Sequence, residues 1–154
     1  MQGYRITENG KRLIEHYEGR YLKAYICPAG IPSIGIGHTK GVKMGDTATD
    51  EQINKWFYED IMTCEMQIND LHLKINQNQF DALVSFVFNL GIGNFQQSTL
   101  LKKIKVYSND PEIRYQFSRW NKAKDLKGNL IELPGLTKRR NSEAEIYFTG
   151  NLTI

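Results

Sequence analysis

Apolar residues recur at helical spacing along most of the chain. Leu13, Ile14 and Tyr17 fall on one side of a first helix that Thr7 can cap and Gly19 can stop. Thr49-Asp50-Glu51-Gln52 reads as a capping box with acids in the first turn, opening a long helix through Trp56, Ile61 and Ile68. Asn76-Gln77-Asn78-Gln79 has the same form, with Asn in place of Ser or Thr. The run that follows, Phe80 to Leu90, is apolar nearly all round, which predicts a central buried helix ended by Gly91 and Gly93. Ser98 starts a short helix carrying Leu100, Leu101 and Ile104. Asp110-Pro111 sets a cap residue before a proline at the first helical position. A last helix is expected from about Thr137 to Phe148.

One stretch breaks the helical period. Between Gly19 and Gly45 lie Pro28, Gly30, Pro32, Gly35, Gly37 and Gly41, and Ile34 and Ile36 alternate with glycines at period two. Residues 21–45 therefore read as a small antiparallel β-lobe. The expected fold is α+β and mostly helical, in a single domain over residues 1–154. A β-lobe at about 20–46 follows helix one, and a larger helical lobe, 47–154 plus helix one, surrounds the central buried helix. Such an arrangement leaves a cleft between its parts, where ligands usually bind.

Composition adds limits. At 154 residues, 40% hydrophobic and 24% charged, the chain can bury a sizeable core. A net charge of +3 suits an approach to an anionic polymer, without the concentrated basic face of a nucleic-acid binder. Cys27 and Cys64 make neither a metal motif nor a disulfide framework, and read as reduced thiols. The stretch from Met1 to Asn9 holds Arg5 and Glu8 and no long apolar run, so no signal peptide is expected. The longest apolar stretch, Ala82 to Phe88, is too short for stable membrane insertion. No phosphate loop, Ser/His/Asp set or zinc motif is present, and no cofactor or metal is expected.

Five segments in register carry a resemblance. Glu18-Gly19, Leu22-Lys23-Ala24-Tyr25 and Ile34-Gly35-Ile36-Gly37-His38-Thr39 resemble the N-terminal signature of the phage-type lysozymes, glycoside hydrolase family 24. Asn78-Gln79-Phe80-Asp81-Ala82-Leu83, Phe88-Asn89-Leu90-Gly91, Ser98-Thr99-Leu100-Leu101 and Pro134-Gly135-Leu136 through Arg139-Arg140 and Glu143 are similar to later family segments in the same order. The resemblance implies a lysozyme-like fold and an endolysin-type N-acetylmuramidase. Such an enzyme cuts the β-1,4 bond between N-acetylmuramic acid and N-acetylglucosamine in bacterial peptidoglycan, with inversion. It further implies a monomer made in the cytoplasm, acting on glycan strands of the cell wall after release by a separate holin.

The chemistry can be argued from the residues. Glycoside cleavage needs an acid for the leaving oxygen and a group opposite to steer water or stabilise charge on the sugar. Glu18 ends helix one just before the β-lobe, where partial burial near the negative helix end would favour a retained proton. Glu15, one turn earlier, is the rival carboxylate. The family pattern has an Asp nine positions after the Glu and a Thr six positions beyond that; here those positions hold Cys27 and Ser33. A thiolate could polarise water, and Ser33 keeps the hydroxyl that could hold it. A small buried apolar role is the other reading of Cys27. These departures also raise an alternative, a non-catalytic peptidoglycan-binding or scaffold module derived from a lysozyme. If the protein meets an oxidising compartment, Cys27 could also pair with Cys64. His38, alone, reads as a structural hydrogen-bonding residue. Thr39 and Ser98 match family sugar-contact positions; Phe88 and Asn89, before the Gly91 break, could line the cleft, with core packing as the other reading of Phe88; and Arg139 and Arg140 can contact the glycan or balance Glu18.

Overall fold

The computed structural model describes residues 3–154. Its elements run α1 (Glu8–Glu18), β1 (Tyr21–Ile26), β2 (Pro32–Gly35), α2 (Asp50–Asn69), α3 (Gln77–Leu90), α4 (Ile92–Gln97), α5 (Thr99–Val106), α6 (Ile113–Ser118), β3 (Lys122–Lys124), β4 (Leu130–Glu132) and α7 (Pro134–Thr149). The fold is α+β and mostly helical, as the periodicity predicts. Nine consecutive residues of α3, Gln79 to Val87, are buried, so this helix is the hub against which α1, α2 and α7 pack. Phe86 on α3 meets Phe95, Phe117 and Trp120 edge-on at 5.8, 5.9 and 5.7 Å between ring centres. Among the described residues, no helix is long and apolar enough to cross a membrane.

Local rules set most boundaries. Thr49 accepts the Gln52 backbone N–H at 3.2 Å and the Gln52 side chain returns a bond to the Thr49 N–H, so the α2 capping box forms. Asn76 does the same for α3, accepting from the Gln79 N–H at 2.8 Å, because its amide oxygen replaces a hydroxyl as acceptor. Gly91, at φ 85°, closes α3. Gly93 does not; it lies inside α4, an extra short helix. Asp110 accepts the Glu112 N–H at 2.9 Å, but Pro111 sits in the turn before α6 and not at its first position. The last helix begins at Pro134, earlier than Thr137, since a proline at the first helical position forfeits no intrahelical bond.

Long-range contacts overrule two local expectations. Thr7 precedes α1, yet its hydroxyl donates to the Asp81 carboxylate of α3 instead of capping its own helix. Asp81 also accepts the Thr7 N–H at 3.1 Å, and Glu65 of α2 accepts the Ile6 N–H at 2.7 Å, so the segment before α1 is strapped across two helices. The β3–β4 hairpin was not anticipated. Its three-residue strands are too short to show a period, and its turn is held by Asp125, which accepts the N–H groups of Lys127 and Asn129 at 2.9 Å each.

The strap gives a pH-dependent term. Burial outweighs the hydrogen bonds from Thr7 and Gln77 and holds the Asp81 carboxyl above its ordinary value of 3.8. The unfolded chain therefore releases this proton first. The resulting stability is complete below about pH 4 and is lost as pH rises through the higher folded-state value. Asp81→Asn is expected to flatten the fall in thermal midpoint upward from about pH 4. An unchanged slope would contradict this.

The β-lobe forms where expected. β1 and β2 pair antiparallel, with Tyr21 opposite Gly35, Tyr25 opposite Ser33 and Ile26 opposite Pro32. A single bridge from Lys23 to Thr47 adds the segment leading into α2. Gly35, at φ 65°, lies against Ile53 of α2, which ties the lobe to the helical body.

Candidate active site

Glu18 is the last residue of α1, and Gly19, at φ 75°, turns the chain straight into β1. Its side chain is 16% exposed, and its Oε2 accepts a hydrogen bond of 2.6 Å from Arg139 Nη1 of α7. On its other side runs Gly37, at φ 63°. A Cβ there would stand 2.7 Å from Glu18 Oε1, so only glycine lets the segment after β2 lie against the carboxyl. The carboxyl is thus enclosed by the β-lobe and α7 together. Ion pairing with Arg139, and not desolvation at a helix end alone, defines its surroundings.

Behind Arg139 lies a buried charge cluster. Glu143, wholly buried, accepts from Ser85 Oγ of α3 at 2.5 Å, from Arg139 Nε at 3.4 Å and from Arg140 Nη2 at 3.1 Å. Arg139 also donates to the Ser85 carbonyl at 3.2 Å. Arg140 Nε and Glu143 Oε1 stand 2.8 Å apart without hydrogen-bond alignment, so charge alone joins them there. Arg140 lies 5.2 Å from the centre of the Phe86 ring and donates to Asn89 Oδ1 at 2.8 Å. Burial, only partly offset by Glu143, pushes the Arg140 guanidinium down to about 10.

Cys27 and Ser33 lie in the β-lobe. Cys27 follows β1 in a tight turn: its N–H donates to the Ile31 carbonyl at 3.0 Å and its carbonyl accepts from Gly30 at 2.8 Å. It is half-buried and free. Ser33, 2% exposed, donates its hydroxyl to the Ile31 carbonyl at 3.1 Å and keeps its lone pairs. Tyr25 of β1 stands within range of the charges of both Glu18 and Cys27. Burial first, then the charges of Glu18, Tyr21 and Cys27, pushes its hydroxyl up to about 12. Tyr25 and Ser85 are two further residues around Glu18 and Arg139. The period-two spacing of Tyr25 with Cys27 was the available signal for the first; nothing local marked the second.

The remaining candidates separate. Thr39 is exposed beside the lobe. Asn89 is bound to Arg140, and Phe88 is half-buried with its ring edge-on to Phe57 at 5.9 Å, in core packing. Ser98, at 3% exposure, donates to the Phe95 carbonyl at 2.6 Å and accepts the Leu101 N–H at 3.0 Å, so its hydroxyl caps α5. Arg140, wholly buried, has no surface for a glycan. His38 is structural: Nδ1 meets Asp60 at 2.8 Å and the ring stacks on Trp56 at 4.6 Å. Glu15 is exposed and lines a separate hollow of about 710 Å³ with Lys11, Arg12 and His16; Glu18 does not reach it. Among the described residues, no three His, Cys, Asp or Glu side chains gather as a metal site.

The thiols differ in a measurable way. Cys64 sits in the core on α2, where burial and then Asp60 and Glu65 push it up to about 12. Native protein treated with iodoacetamide near pH 8 is therefore expected to take one label, on Cys27, and denatured protein two. Labelling of Cys64 in the native state would contradict this placement.

The phage lysozyme family model matches residues 15–143. The chain is 43% identical over 145 residues to the endolysin of Acyrthosiphon pisum secondary endosymbiont phage 1, covering 92% of this chain and 97% of that one. It is 38% identical over 124 residues to the endolysin of Salmonella phage P22, covering 77% and 84%. The solved endolysin from Escherichia coli O157:H7 phage FAHEc1 superposes over 100% of both chains, with a TM-score of 0.87 at 35% identity.

Proposed function

The chain belongs to the phage lysozyme family, a lineage of glycoside hydrolases, and from that premise we propose that it cleaves peptidoglycan with Glu18 as general acid. The bond cut is the β-1,4 link from N-acetylmuramic acid to N-acetylglucosamine. Glu18 gives its proton to the departing O4 of N-acetylglucosamine as the C1–O4 bond breaks. Water attacks C1 of N-acetylmuramic acid from the opposite face, giving inversion. Cys27 polarises that water and the Ser33 hydroxyl holds it, and the proton the water loses on attack passes to solvent. Arg139 grips the Glu18 carboxylate left after the proton departs. Thr39, exposed beside the lobe, and Asn89 are the glycan contacts retained from the sequence.

The observation that carries this reading is the enclosure of Glu18: a mostly buried carboxyl at 2.6 Å from Arg139, with Gly37 pressed against it. A surface glutamate at a helix end would have neither neighbour. The protein acts as a monomer on glycan strands of the wall, reaching them after release by a separate holin. Purified protein incubated with peptidoglycan is expected to release new reducing ends. Their absence at every pH between about 5 and 8 would overturn the reading.

A further inference from the structure

Glu143 touches neither cleft nor solvent, yet it is the only anion among the described residues that contacts both arginines of α7. A glutamate at zero exposure is costly unless it is paired, and here the pairing is aimed. Its Oε2 is fixed by the Ser85 hydroxyl, and it meets Arg139 at Nε, on the opposite end of the guanidinium from the Nη1 that holds Glu18. Ser85 adds its own carbonyl and hydroxyl to Arg139 Nη2 at 3.2 and 3.3 Å. All three nitrogens of the guanidinium are therefore engaged, and Glu143 and Ser85, behind it, fix its plane from the side away from Glu18.

Charge points the same way. An uncompensated arginine against Glu18 favours the ionised carboxylate, the wrong form for an acid, and a second arginine behind it adds to that bias. One carboxylate between the two cations halves that bias: Arg139, Arg140 and Glu143 together present Glu18 with one net positive charge instead of two. Around this pair, Tyr25 on β1 feels the charges of Glu18 and Cys27, the uncharged Ser85 of α3 meets Arg139, and the Gly37 backbone after β2 lies against Glu18.

We infer that Glu143 is a positioning residue for the reaction: anchored by Ser85, it orients Arg139 toward Glu18 and cancels the extra positive charge of Arg140, so that Glu18 can carry the proton it delivers. This rests on Glu18 being the acid. The arrangement joins five residues from three helices, and neither Ser85 nor Glu143 is exposed.

The test is a set of pH–rate profiles for reducing-end release from soluble glycan strands by the whole chain. Glu143→Gln is expected to move the alkaline limb about half a pH unit or more toward acid, because two arginines now face one carboxylate. Its plateau kcat should fall roughly tenfold with KM within about twofold. The neutral double variant Arg140→Met/Glu143→Gln should bring the limb back to the parental position. A purely structural Glu143 would lower activity in step with the folded fraction and leave the limb in place; that result overturns the inference. If Glu143→Gln does not fold, Ser85→Ala decides, since it keeps every charge and removes the anchor. A kcat lowered at least about threefold at unchanged KM supports the inference, and a parental kcat overturns it. Failure of the acid assignment is separable: it shows as activity surviving in Glu18→Gln, whatever the Glu143 variants do.

Discussion

Glu18→Gln is expected to lower reducing-end release by at least about a thousandfold while leaving the protein folded. The two side chains have nearly the same shape, and the amide oxygen of Gln can still accept the Arg139 Nη1–H that now reaches Oε2 at 2.6 Å. What is lost is the transferable proton. A positioned acid contributes roughly a hundred- to ten-thousandfold, and no second carboxyl is placed to substitute: Glu15 is exposed on the outer side of α1, and Glu143 is sealed behind Arg139. The folding free energy should change by no more than about 1 kcal/mol, because Glu18 is the cluster member that reaches water and Glu143 continues to neutralise Arg139. Activity above a tenth of the parent, in a variant with a parental melting curve, would contradict the assignment.

Arg140→Met carries the largest expected stability effect. The guanidinium is wholly buried, spans Asn89, Glu143 and the Phe86 face, and is held down near 10 by desolvation. Its removal relieves that desolvation but leaves Glu143 at zero exposure with Arg139 as its only cation, which Glu18 already shares. Breaking a buried pair from one side costs about 3–5 kcal/mol, on the order of a 10 °C drop in thermal midpoint at this chain length. Neutralising the partner reverses much of the loss. The double variant Arg140→Met/Glu143→Gln should therefore lose less than the sum of the two single changes, by about 1–3 kcal/mol in a double-mutant cycle. Thermal or urea unfolding measures both. A single variant within about 1 kcal/mol of the parent, or additive losses, would show that the cluster is not coupled.

The boundary between what the chain announces and what it conceals follows contact range. The α2 and α3 capping boxes were legible because cap and responder sit three residues apart. Glu18 was legible because the helix end and Gly19 adjoin it, and the β-lobe because its glycines interrupt a helical period. Arg139 stands 121 residues from Glu18, so only the family resemblance set the two together. Thr7 shows the converse: its local chemistry predicts a cap, and a carboxylate 74 residues away takes its hydroxyl. Ser98 is legible as the start of α5, since the N–H it caps lies three residues on. The β3–β4 hairpin, closed by Asp125, offered no period for a short strand to display. Ser85 was invisible inside an apolar helix until α7 brought Glu143 against it.

Isotope labelling tests the central claim most directly. Peptidoglycan digested in water enriched in oxygen-18 and resolved by mass spectrometry should yield fragments ending in reducing N-acetylmuramic acid, each carrying one heavy oxygen at C1, because a water molecule opposite Glu18 makes the cut. Glu18→Gln should yield none. Fragments that carry no heavy oxygen, such as 1,6-anhydro ends formed by internal attack, or cuts that leave N-acetylglucosamine at the reducing end, would contradict the account.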